Sequence, residues 1–193
     1  MQRILFGFSF LTHPVFIPFY SIFIYLNLVL KYNQSALVLG LIWLLFVYLF
    51  LPTVYFLKVK KMELKSPNII DRRSIFKVYS AINLLLWVVA FFMMKEYMDF
   101  FLGLAVVHLL MYLLSIIDLK ASWHTAGWSY LLLSALVLWK RYQFVDFNYV
   151  TYILLGFLIL VFICRLLQKA HNLFELVMGV AAGITASLVL IFL

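Results

Sequence analysis

Apolar residues in this chain run in long blocks instead of alternating. Blocks near the length of about 20 residues that crosses a bilayer core recur at roughly 3–31, 36–57, 74–95, 98–117, 122–140, 147–164 and 173–192. Period-two alternation is absent, which argues against a membrane β-barrel, and blocks of this length predict helices. Pro14 and Pro18 interrupt the first block, so it is expected to kink or re-enter. That block follows Arg3 and ends in no small-residue cleavage motif, so it reads as a retained membrane segment. No repeat, low-complexity tract or linker divides the chain. The expected fold is an all-α, polytopic transmembrane helix bundle of about six or seven spans, with residues 1–193 forming one domain.

Polar positions gather in three short clusters between the blocks. The first, KSPNIIDRR, carries Lys65 and Arg72; the second, KASWHTAGW, carries Ser122 and His124. The third, CRLLQKAHNLFELVMGVAAG, carries Arg165, His171 and Glu175. Ionisable groups at membrane depth cost roughly 2.5–3.5 kcal/mol each on insertion scales, so they usually mark function. The clusters lie between blocks two and three, four and five, and six and seven. Two crossings separate each from the next, so all three are expected at one face of the membrane.

Each cluster has its own chemistry. Lys65 offers a compact charge and Arg72 a planar fork suited to phosphoryl oxygens, although both could equally be topogenic charges beside Lys58, Lys60 and Lys61. Ser122 and His124 stand at the start of a predicted helix, where backbone N–H groups favour an anion. His124 there could donate a proton to a leaving oxygen, or Ser122 could simply cap the helix. His171 and Glu175 are four apart and share a face if both are helical. The carboxylate can then hold one imidazole nitrogen and leave the other free to attack. With His171 opening the last helix, the helix N-terminus disfavours imidazolium and keeps the ring neutral.

Composition narrows the class. The chain is 67% hydrophobic and 11% charged, with a mean hydropathy of +1.12; no soluble domain of this size hides so much apolar surface. The net charge of +8 has no soluble basic domain to carry it, so nucleic acid is not the expected partner. Anionic lipid or a phosphate fits better. Cys164 is the single cysteine, which excludes a disulfide within the chain. Four histidines without a tight carboxylate cluster do not make a metal site. His13 and His108 lie in apolar blocks and read as interhelical hydrogen-bond partners. Gly179 and Gly183 form a small-xxx-small pair that predicts close helix packing.

In order and spacing, the clusters resemble the three motifs of the type 2 phosphatidic acid phosphatase superfamily of membrane lipid phosphatases. The resemblance spans residues 65–179. Lys65 and Arg72 match the first motif, with Arg73 in place of its proline. Ser122 and His124 match the second, with Ala121 and Trp123 in place of proline and glycine. Arg165 and His171 match the third, with Cys164 for serine and Glu175 for aspartate. THPVFIPFY near the N-terminus and FLP at 50–52 look like a compact branch of that superfamily found in Bacteroidota.

The resemblance implies that His171 attacks phosphorus and becomes a phosphohistidine, that Glu175 orients it, and that His124 protonates the leaving group. Lys65, Arg72, Ser122 and Arg165 would hold the phosphoryl oxygens, with no metal and no cofactor. It implies a lipid phosphate or pyrophosphate substrate drawn from surrounding membrane lipids. It also implies a bacterial inner-membrane location with the site facing the periplasm, although counting Lys and Arg on the two faces points the other way. Trp123 would bring bulk close to the phosphate. The competing expectation is an inactive relative that serves as a membrane subunit or scaffold, with a membrane-protein partner or as a homodimer. A small transporter fits less well, since no inverted repeat is visible.

Overall fold

The computed structural model describes residues 2–28, 41–59, 68–93, 95–142 and 147–192. Among the described residues there are helices and turns and no strand. In chain order the helices are α1 (Gln2–Leu11), α2 (Ile17–Leu28), α3 (Leu41–Lys58), α4 (Ile69–Met93), α5 (Lys95–Ile116), α6 (Trp123–Tyr142), α7 (Phe147–Leu167) and α8 (Leu173–Phe192). Six described segments are long and apolar enough to cross a membrane: 5–24, taken as one run through α1 and α2, and then α3, α4, α5, α7 and α8.

The fifth sequence block, α6, is the exception. It forms a helix but is not one of those six. Its first half, WHTAGWSY, is too polar for a lipid-facing helix, and the structure shows why it need not be one. Every residue from His124 to Leu132 is buried, because α6 lies inside the bundle. The converse holds for α7, which has the highest hydropathy of the six, 2.5, and the smallest buried share, 17%. Lipid selects α7 for oiliness, whereas protein neighbours satisfy the polar groups of α6.

Small residues bring α8 onto α6. A Cβ on Gly179 would stand 2.3 Å from the Ser122 carbonyl oxygen, and one on Gly183 would stand 2.4 Å from that of Ala126. The glycines therefore admit α6 to near backbone contact. Hydroxyls bond across the seam: Thr125 Oγ1 donates to Leu176 O at 3.0 Å, Ser129 Oγ to Val180 O at 3.2 Å, and Ser187 Oγ to Tyr130 O at 3.4 Å. Numbers rise together along both helices, so α6 and α8 run parallel and their N-termini lie at the same end. In contrast, α4 and α5 are antiparallel, with Arg73 on Ser115 O at 2.8 Å and Ser80 on Ala105 O at 3.3 Å.

Prolines break two segments, and side chains repair both breaks. The first block does kink: α1 ends, a single 3₁₀ turn covers Pro14–Phe16, and α2 begins. Trp128 Nε1 donates to the freed Thr12 carbonyl at 2.8 Å, and the Tyr20 hydroxyl donates to that of Leu11. In α3, Pro52 cannot bond back to Tyr48 O, and the helix widens into π turns over Leu45–Phe50 and Tyr55–Val59. The hydroxyl of Tyr79 on α4 donates to that Tyr48 oxygen at 3.3 Å. Backbone groups freed within a membrane are otherwise costly, so these donors hold each kink.

Candidate active site at one end of the bundle

Two sharp reversals build the site's end. After α5, Leu119 N donates to Leu114 O at 3.0 Å and Asp118 N to Ser115 O at 3.2 Å. After α7, Ala170 N donates to Arg165 O at 3.2 Å and Lys169 N to Leu166 O at 2.9 Å. Both are Schellman stops. The left-handed position is filled by Asp118 (φ 59°) in one and Lys169 (φ 52°) in the other, although glycine is the usual occupant. Arg73 reinforces the first reversal by binding Ser115 O and the Asp118 carboxylate, each at 2.8 Å. The reversals feed directly into the N-termini of α6 and α8. A backbone bond, Ser122 N to Glu175 O at 2.9 Å, ties those N-termini together.

His171 sits in the bend before α8, not in its first turn. Helical spacing therefore is not what joins it to Glu175. Asn172 caps α8: its Oδ1 accepts from Glu175 N at 2.8 Å, while Glu175 Oε2 accepts from Asn172 N at 3.2 Å. This reciprocal capping box turns the Glu175 carboxylate back along the chain, where Oε2 also accepts from His171 Nδ1 at 3.0 Å. A carboxylate on Nδ1 fixes the proton there and leaves Nε2 with a free lone pair. His171 is buried. Burial, and then the charge of Arg72, hold its imidazole well below its ordinary value, to about 4, against the opposing pull of Glu175. The ring is thus neutral near pH 7 with Nε2 unprotonated.

Two guanidinium groups flank this pair. Arg72, in the first turn of α4, reaches Ala121 O at 3.4 Å. Arg165, in the last turn of α7, donates from Nη1 to Ser9 Oγ at 2.8 Å and to Gln168 Oε1 at 2.9 Å. Arg165 Nε is buried and has no hydrogen-bond partner among the described residues. Both arginines are near enough to act on His171 electrostatically. Neither forms an ion pair with a carboxylate among the described residues.

His124 lies in the first turn of α6 and is buried. Its Nε2 donates to Ser9 O at 3.2 Å and lies 3.5 Å from the Ser9 hydroxyl. Ser122 is fully buried, and its hydroxyl faces Thr125 N at 3.5 Å, the place of a helix cap. Trp123 does not lie over the arginines. Its ring enters the bundle and meets those of His13, Phe76, Tyr79 and His108, with centroids 5.2–5.5 Å away.

Arg72, Ser122, His124, Arg165, His171 and Glu175 are therefore joined at one end by a short chain of contacts through Ala121 and Ser9. Lys65 lies outside the described residues. His108 was expected to bond between helices; its Nδ1 instead donates to Leu104 O of its own helix at 2.7 Å, although the ring packs against α4, 3.4 Å from Asn83 Nδ2. His13 is closer to the site than its apolar block suggested, with its ring 5.1 Å from that of His124. Ser9, Asn172 and Gln168 were not anticipated. Asn172 had a signal, since Asn-x-x-Glu before an apolar run marks a capping box. Ser9 contacts Arg165 across 156 residues of chain, a separation no local pattern reveals. Compared with known proteins, the chain matches no family model, no curated protein and no solved structure.

Proposed function

We infer that this chain is a membrane lipid phosphatase, of the type 2 phosphatidic acid phosphatase kind, acting through a phosphohistidine. One observation carries the reading. A buried, neutral His171 holds its Nδ1 proton against Glu175 and keeps Nε2 free, beside two guanidinium groups that lack a carboxylate partner among the described residues. A nucleophile, its orienting acid and vacant oxyanion donors are what phosphoryl transfer requires.

In this reading Nε2 of His171 attacks phosphorus, and the P–O bond to the lipid breaks. The Nδ1 proton stays on the ring, which gains positive charge that Glu175 offsets. His124, when it carries a second proton as imidazolium, gives one to the departing lipid oxygen and is left neutral. Arg72 and Arg165 grip the equatorial oxygens, with Ser122 and Lys65 assigned to the same task on the resemblance. Water then attacks the phosphohistidine, releases inorganic phosphate and restores His171. The substrate is a lipid phosphate or pyrophosphate reaching the site sideways from the bilayer. The proposed setting is a bacterial inner membrane with the site facing the periplasm.

The test is phosphate release by the purified chain from a panel of lipid phosphates in EDTA, alongside Glu175→Gln. Glutamine keeps size and hydrogen bonding but removes the charge. It is expected to lower kcat roughly 10²-fold with little change in KM, because the charge acts mainly in the transition state. Glu175→Asp is expected to retain part of the rate. Wild-type turnover by Glu175→Gln would remove Glu175 from the mechanism.

One observation favours the second reading, an inactive relative acting as a membrane scaffold. His124 Nε2 is held by the Ser9 carbonyl, and Ser122 is sealed inside the bundle. No turnover on any lipid phosphate, together with stable capture of a membrane-protein partner, would put that reading first.

A further inference from the structure

The least explained feature of this end of the bundle is how Arg165 is held. A guanidinium is planar, with a side edge made by Nε and Nη2, and that edge matches two oxygens of a phosphoryl group. Ser9 and Gln168 both accept from Nη1. Nη1 carries two protons, so these bonds use both and turn the group about its own plane. The edge that Nε shares with Nη2 is left without them, and Nε itself is buried and unpartnered among the described residues.

The two acceptors are anchored in turn. Gln168 Nε2 donates to Leu5 O at 2.7 Å, which fixes its Oε1 as the acceptor that faces Arg165. Leu5 and Ser9 are one helical turn apart on α1. They therefore present a carbonyl and a hydroxyl on one face, toward the end of α7. The Cys164 thiol also lies 3.6 Å from Leu5 O. Thus α1, broken from α2 just beyond Ser9, acts as a clamp on the last turn of α7.

We propose that Ser9 and Gln168 are positioning residues: they pin Nη1 of Arg165 so that its Nε–Nη2 edge is presented to a phosphoryl group. This rests on the phosphatase reading. It adds that the first block of the chain, outside all three motif clusters, is part of the phosphate site.

Orthovanadate, a phosphate mimic that turnover does not consume, is titrated into the full chain in detergent micelles. Ser9→Ala is expected to weaken binding about tenfold, the usual scale for a lost hydrogen bond to a charged group. Ser9→Thr keeps a hydroxyl and should bind nearly as the unaltered chain does. Gln168→Met runs the same test from the other anchor, should Ser9→Ala fold poorly. The deciding measurement is the cycle with Arg165→Lys, which keeps the charge but has no fork. If Ser9 acts through Arg165, Ser9→Ala changes affinity less than about twofold in that background. Equal weakening in both backgrounds overturns the positioning role and leaves the phosphatase reading standing. Failure of the unaltered chain to bind orthovanadate overturns both.

Discussion

Two neighbours pull on the His171 proton in opposite directions. Arg72 disfavours the imidazolium, while Glu175 favours it through the bond to Nδ1 and through its charge. Arg72→Gln should therefore raise the titration midpoint of His171, and Glu175→Gln should lower it, both read from its ring protons by NMR. Shifts of the same sign would show that the ring is not placed between them. A stability consequence follows with its own sign. An unfolded His171 binds a proton below its ordinary 6.5, whereas the folded ring resists down to about 4. Between those values the unfolded state holds more protons, so His171's contribution to stability is lost as pH falls through that window. At this scale the sequence was informative about residue pairs close along the chain, since four-residue spacing brought His171 and Glu175 into view together. It said nothing of Ser9 beside Arg165 or His13 beside His124, because those contacts depend on how α1 lies across the bundle.

Helix ends shape the site more than helix middles do. Both reversals use residues with a Cβ in the left-handed region, which costs roughly 1–2 kcal/mol compared with the right-handed one. Lys169→Gly removes that cost but gives back about 0.4–1 kcal/mol of unfolded-chain entropy. A net gain of about 0.5–1 kcal/mol in thermal or denaturant unfolding is expected, with the site unchanged. Asp118→Gly should gain less, because it also deletes the Arg73 partner. That bond is exposed on the Asp118 side, where such pairs are worth under about 1 kcal/mol. Equal stabilisation by the two substitutions would mean that Arg73 contributes nothing through Asp118. The opposite sign is expected at Gly183→Ala. Its Cβ would meet the Ala126 carbonyl at 2.4 Å and the Ser129 hydroxyl at 2.0 Å, and forced overpacking of this kind typically costs 1–3 kcal/mol, to order of magnitude. The glycine pair was readable from spacing alone. The reversals were not, since neither has the glycine that usually announces a helix stop.

Across the whole molecule, hydropathy covered every described helix, with α1 and α2 merged in one block, but could not rank them by position. It scores oil, so α7, facing lipid, stands first, and α6, at the centre, drops below the threshold of a span. Crossing parity nevertheless required α6 to run with α8 from a shared end, and its contacts along α8 from Ser122 to Tyr130 show the two helices side by side in the same direction. This makes sidedness testable without any assumption about activity. Lys120 lies between α5 and α6, and Lys169 between α7 and α8, while Lys140 is near the far end of α6; all three are exposed. In a background with Cys164 replaced, single cysteines at 120 and 169 should react with an impermeant maleimide from the same side of intact membranes, and one at 140 only from the other. Opposite labelling of 120 and 169 would separate His124 from His171 and end the convergence on which the site depends. The absolute side is a distinct matter. Basic residues crowd the site's end, and the usual bias would place them in the cytoplasm. Arg72 and Arg165, however, are built into the folded site, and Arg73 is tied to the stop of α5, so none of the three is a free topogenic charge. Other basic residues of that face, among them Arg3, Lys58, Lys120 and Lys169, still carry the bias, so the phosphatase reading predicts periplasmic labelling at 120 and 169 against it. Cytoplasmic labelling at both would keep the site intact and redirect the search to lipid phosphates of the inner leaflet.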